Sequence, residues 1–127
     1  MSVTEIQAAP YPIYRTAGNT VYISGQNAEV NGRIVDGGIA EQTRVIFELI
    51  EVTLASAGCS FADVVKVNGF LHDEHDFETF NNVYREYFGP SKLSYPARSM
   101  ALGVLTQLQQ QNKALIEIEM IAEKRPV

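Results

Sequence analysis

The stretch ALIEIEMIA, residues 114–122, decides the fold. Ile116, Ile118, Met120 and Ala122 fall on one parity, and Glu117, Glu119 and Ile121 on the other. That is the period of a strand, whose successive side chains point to opposite faces of a sheet. One face is wholly apolar and needs a core packed on it. The other mixes two carboxylates with an isoleucine, so it is neither a plain solvent face nor a plain core face.

The remaining elements arrange themselves around this strand. Upstream lies SYPARSMALGV, residues 94–104, read as a strand from Ala97 to about Leu105, with Arg98 just behind Pro96. Before it, a helix is expected from about His75 to Phe88. Asp73 is its N-cap, Gly89-Pro90 its stop, and Phe77, Phe80, Tyr84, Tyr87 and Phe88 its apolar stripe. VVKVNGFL, residues 64–71, reads as a strand with Val65, Val67 and Leu71 on one face. A first helix runs from about Ile39 to Ala57 and stops at Gly58. Its Arg44, Glu48 and Glu51 share one narrow arc, and the apolar residues around them, Val52 included, imply burial on more than one side. TVYISG, residues 20–25, alternates as a strand, and Asn31-Gly32 predicts a hairpin turn into a short strand NGRIV. The leading APYPIY, with prolines flanking Tyr11, is extended.

The order is thus β-β-(β)-α-β-α-β-β in a single domain spanning residues 1–127. It predicts an α+β chain with a mixed sheet and both helices on one face. Val, Ile and Leu occur on both parities of several strands, so a partner subunit is the simplest cover for the other face.

Composition narrows the function. The net charge is −5, with 15 acidic against 10 basic residues, which argues against a nucleic-acid partner. One cysteine, Cys59, excludes an internal disulfide and a multi-cysteine metal site. The N-terminal MSVTEIQAAP has no secretory pattern and no apolar run is long enough to span a bilayer, so a cytoplasmic location and no membrane partner are expected. HDEH, residues 72–75, lies on a solvated turn with no third histidine in the chain, so no metal is expected there. Ser24 lacks a histidine partner and no phosphate cradle follows a strand.

Three polar residues stand where apolar ones belong. Asn81 lies at the margin of the second helix's stripe, and a buried amide there needs satisfied donors and acceptors. Glu117 shares a parity with Glu119 and Ile121, so a covered sheet face would take its carboxylate out of water. Arg98 requires either an internal carboxylate, Glu117 or Glu119, or the carboxylate of a ligand, which a guanidinium holds in bidentate fashion.

GNTVYISGQ, EQTR, DVVKVNGFL, DFETFNNVYREYF, YPARS and IEIEMIA occur in this order. Together they resemble the reactive intermediate deaminase family, the RidA or YjgF family, also called endoribonuclease L-PSP, over nearly the whole chain. The resemblance implies a homotrimer with a chorismate-mutase-like fold and ligand clefts between subunits. It implies hydrolysis of enamines and imines made from amino acids to 2-oxo acids and ammonia, with no cofactor and no metal. Carried over by motif, Arg98 of YPARS clamps the substrate carboxylate and Glu117 of IEIE positions water or moves protons. Tyr11 closes over the site, Ser24 and Gly25 line the pocket, and Asn81 supplies an amide. The chain departs from the family in APYPIY at its start, in Met100 where some members have cysteine, and in a longer loop over residues 105–113. Two other readings stay open: a non-catalytic module that binds a small carboxylate, and a single-strand endoribonuclease or translation inhibitor.

Overall fold

The computed structural model describes residues 10–89, 94–105 and 113–126. The longer loop after Leu105, Pro90 and the N-terminal nine residues lie outside them. Seven strands and two helices follow in the order β1 (Tyr14–Ala17), β2 (Thr20–Gln26), β3 (Glu29–Val30), β4 (Arg33–Ile34), α1 (Ile39–Ser56), β5 (Val64–Leu71), α2 (Phe77–Phe88), β6 (Ala97–Leu102) and β7 (Ile116–Glu123).

Strand β7, which carries IEIEMIA, lies at the centre of a five-stranded sheet of order β1-β2-β7-β5-β6. It runs antiparallel to β2 and β5, while β6 joins β5 in parallel through the α2 crossover, so the sheet is mixed. The apolar parity of β7 faces the helices: Ile116, Ile118, Met120 and Ala122 are all buried. They pack in one core with Val21 and Ile23 of β2, Val67 and Leu71 of β5, the Ile46, Phe47, Ile50 and Leu54 row of α1, and Phe80, Val83 and Phe88 of α2. Fully burying a side chain of this size contributes about 2 kcal/mol, so this one layer holds the domain together. The mixed sheet with both helices packed on its apolar face is the architecture the periodicity predicts.

The local differences have physical causes. The leading segment does not stay a bare extended arm. Its last residue, Tyr14, opens β1, which the two-residue turn Gly18-Asn19 returns onto β2, with Gly18 at φ +59°. The Asn31-Gly32 turn forms as expected, with φ +54° and +79°, between strands of two residues each. Val65 is half exposed rather than sharing a face with Val67, because the β5–β7 register slips between Val64 and Lys66 and hands the buried position to Val64. Helix α1 buries one side only. Val52 is 67% exposed, and Gln42 and Thr43 occupy core positions instead. The helix closes with the N–H groups of Gly58 and Cys59 donating to the carbonyls of Ala55 and Leu54, Gly58 having φ +81°. Helix α2 begins at Phe77, two residues later than expected. Asp73 caps a preceding 3-10 turn, Glu74–Asp76, by accepting from the His75 N–H. No helix among the described residues is long and apolar enough to cross a membrane.

Candidate functional site

Arg98 is half-buried on the edge strand β6, and its direction follows from register. Val67 is opposite Arg98 on one side and Met120 on the other, so Arg98 shares the buried, helix-side parity. Its Nη1 donates to Asn81 Oδ1 of α2 at 2.9 Å. The guanidinium carbon lies 4.7 Å from the Tyr84 ring centroid and 5.6 Å from those of Phe77 and Phe80. Three rings that read in the sequence as core stripe therefore form a box around the cation.

The two residues nominated as internal partners of Arg98 cannot reach it from where they stand. Glu117 is opposite Phe70 and Glu119 opposite Asn68, the parity that faces away from the helices. No carboxylate among the described residues pairs with Arg98, so the internal ion pair is not formed. Beside the guanidinium opens a pocket of about 250 Å³ lined by Asn81, Tyr84, Arg85, Tyr95, Pro96 and Arg98. The Tyr84 hydroxyl is buried without a hydrogen-bond partner among the described residues. Burial pushes its pKa up to about 12 even though the Arg98 charge pulls the other way, so it stays a neutral donor.

Glu117 is half-buried on the opposite sheet face. Ser24 and Gly25 sit in a bulge of β2, where the pairing shifts between Ile23 and Gln26. Gly25 needs to lack a side chain: a Cβ there would collide with Glu117 Oε2 and lie 2.9 Å from its Cδ. The Ser24 hydroxyl donates to the Pro12 carbonyl at 2.7 Å, and the Ser24 N–H to that of Ile13 at 3.0 Å. These bonds tie down the segment that carries Tyr11, whose ring is 61% exposed.

Two buried amides that sequence reasoning passed over hold the approach to Glu117. Asn27 Nδ2 donates to the Ile116 carbonyl at 3.0 Å. Gln42 accepts from the Leu115 N–H at 2.9 Å and donates to the carbonyls of Lys113 and Val35. Gln42 stands inside the apolar run of α1, a signal of the same kind as Asn81. Asn27 follows the end of a strand and carried no such signal.

The structure thus groups the nominated residues in two sets. Arg98 and Asn81 lie together on the helix side, and Glu117, Ser24 and Gly25, with the Tyr11 segment, on the other. One copy of the chain does not bring the two sets into one cleft. No group of His, Cys, Asp and Glu among the described residues is placed to hold a metal ion. His75 instead donates from its ring Nδ1 to the Asp73 carboxylate at 2.8 Å on an exposed turn. Cys59 is buried, and burial raises its thiol pKa, which makes it a poor nucleophile.

The endoribonuclease L-PSP family model matches residues 3–124. A RutC family protein of Pyrococcus horikoshii is 44% identical over 118 residues, covering 91% of this chain and 87% of that one. The 2-iminobutanoate/2-iminopropanoate deaminase of Bos taurus is 38% identical over 120 residues, covering 93% and 82%. Among solved structures, yeast Mmf1 superposes with a TM-score of 0.81 at 33% identity, covering 93% of this chain and 90% of that one. A match over this much of the chain, on a sheet of the same order of elements as the motifs demand, places the protein in the reactive intermediate deaminase (RidA/YjgF, endoribonuclease L-PSP) family.

Proposed function

We propose that the protein hydrolyses 2-imino acids and their enamine tautomers to 2-oxo acids and ammonia, in clefts that two neighbouring copies of a homotrimer complete. The observation that carries this reading is Arg98, a half-buried cation held by a neutral amide and three aromatic rings rather than by a carboxylate. Such a cation is suited to a ligand carboxylate, which it grips through two parallel N–H···O bonds. Relatives named as deaminases at 36–38% identity support the same chemistry.

The reaction needs little machinery. An imine carbon is already electrophilic, so an anchored substrate, an oriented water and a proton carrier suffice. Glu117 of the neighbouring copy takes a proton from the water as its oxygen bonds to the imine carbon, and the nitrogen gains a proton. The carbinolamine then collapses: the C–N bond breaks, the carbonyl forms, and ammonia leaves with one water consumed. Arg98 anchors the carboxylate, Asn81 fixes the guanidinium, Ser24 and Gly25 leave room beside Glu117, and Tyr11 closes over the ligand. This chemistry calls for no cofactor and suits the cytoplasm, where pyridoxal-phosphate enzymes release such intermediates.

A second reading is favoured by one observation: residues of one chain alone line the pocket beside Arg98, so it could bind a small 2-oxo acid without catalysis. The acidic net charge supports neither reading as a nuclease. An oxidase that generates imines from several amino acids, with semicarbazide trapping the survivors, tests the enzyme. The expected outcome is loss of trapped adduct with the wild type and not with Arg98→Ala. Equal trapping with and without protein across the panel sinks the deaminase, and saturable 2-oxo acid binding in that case leaves the binding module.

A further inference from the structure

The pocket beside Arg98 carries a second cation that the proposed reaction does not use. Arg85 lines the same wall, one turn along α2 from Asn81. Four residues of helix rise about 6 Å, so the backbone of Arg85 stands about that far along the axis from Asn81. Like Arg98, it is held by a neutral amide, its Nη1 donating to Asn82 Oδ1 at 2.9 Å.

Acidic residues outnumber basic ones 15 to 10, and Arg44 and Arg125 each have a carboxylate partner, Glu86 and Asp63. Yet among the described residues neither cation of this pocket has one, and no acidic side chain lines it. Glu86 follows Arg85 in the chain, but its carboxylate pairs with Arg44, and the exposed Glu78 accepts weakly through Oε1 from Asn81 Nδ2 at 3.4 Å, on the amide rather than on a guanidinium. Tyr95 and Pro96 also line the pocket, as does Tyr84, whose hydroxyl has no hydrogen-bond partner among the described residues. Within one chain, two guanidinium groups on one pocket create a positive field, and the single Glu117 that a neighbouring copy would bring leaves the pocket net positive.

We infer that the pocket is built for a doubly anionic ligand, and that Arg85 gives this protein a preference for 2-imino and 2-oxo acids whose side chain ends in a second carboxylate. The first carboxylate sits on Arg98 and the second is drawn to Arg85. The inference rests on the proposed role of Arg98 in substrate binding and adds the substrate class and a specificity residue. Because Arg85 is solvent-exposed, its effect is modest and screened by salt.

The test compares 2-oxoglutarate with 2-oxobutanoate as binding probes, by calorimetry, and the imines of glutamate and alanine as substrates. The wild type is expected to favour the dicarboxylate by roughly two- to fivefold in affinity and in kcat/KM, with the preference shrinking at high salt. Arg85→Gln is expected to abolish that ratio, Arg85→Glu to invert it, and Arg85→Lys to restore most of it. A wild-type ratio near one, or a ratio that Arg85→Glu leaves unmoved, overturns the inference. Absence of turnover with both imines, alongside Arg85-dependent 2-oxoglutarate binding, removes the deaminase reading and leaves the ligand class standing.

Discussion

At the scale of single residues, the site depends on what surrounds two charges. Arg98 is presented by its aromatic box as a flat fork, and a lysine would bring a point charge without the second donor. Arg98→Lys is therefore expected to lower kcat/KM about 100-fold, nearly as much as Arg98→Ala, measured by the loss of trapped imine at limiting substrate. At Gly25 the cause is space. An added Cβ would drive the Glu117 carboxylate aside, so Gly25→Ala is expected to lower kcat at least about tenfold while far-ultraviolet circular dichroism stays that of the wild type. Full kcat in Gly25→Ala would mean that Glu117 acts from some other position. These residues were legible in the sequence because each breaks a period: Asn81 in a helix stripe, Glu117 in a strand alternation, Arg98 in an apolar run. Their mutual placement was not legible, because parity within a strand is local while facing depends on which strand pairs with which. Arg98 and Glu117 read as neighbours in sequence order, and the register put a sheet between them.

At the scale of elements, the strands and helices followed from alternation and stop signals, and the misses were pairing irregularities. A bulge costs one residue and leaves no compositional mark, so Val65 was assigned to the wrong face and the Ser24-Gly25 bulge beside Glu117 went unseen. The clamp on β7 is a property of this scale. Gln42→Leu keeps the volume but leaves the Leu115 N–H and the Lys113 and Val35 carbonyls without their partner. A loss of about 2–4 kcal/mol in urea unfolding is expected. The turn before α2 adds a pH dependence. Hydrogen bonds from the His75 backbone N–H, then from its ring, hold Asp73 below the ordinary carboxylate range, and the bond to Asp73 holds His75 above the ordinary histidine range. A raised histidine stabilises below its unfolded pKa and loses that contribution as pH rises through the folded value. A lowered aspartate stabilises above its unfolded pKa and loses it as pH falls through the folded value. The pair therefore helps in the weakly acidic window between them. The difference in melting temperature between wild type and His75→Ala is expected to be larger near pH ~5.5 than near ~8.5, and both groups are exposed, so it is small.

At the scale of the whole molecule, the open face of the sheet calls for a cover. Tyr22, Ile121 and Lys66 form one cross-strand row there, and Glu117 and Phe70 another, with Tyr22 48% and the neighbouring Val65 50% exposed. The apolar members of these rows, Tyr22, Ile121 and Phe70, are poorly served by water, and a second copy that laid its α2–β6 edge here would cover them. It would also bring its own Arg98 to the Glu117 set, which no folding of one chain achieves. A heterologous contact of this kind closes into a ring when the rotation allows, which is the geometry of a trimer. It makes a prediction that an internal site does not. Arg98→Ala and Glu117→Gln subunits are each inactive alone, yet a ring containing both can place an intact Arg98 against an intact Glu117. Mixing the two variants, dissociating them in mild denaturant and reassembling them is expected to restore activity to about a quarter of wild type, because half of the arginine sets and half of the glutamate sets are intact and meet at random. Sedimentation should show the same oligomer before and after. If the reassembled mixture stays as inactive as its components, both residues must act from the same subunit, and the composite cleft is wrong.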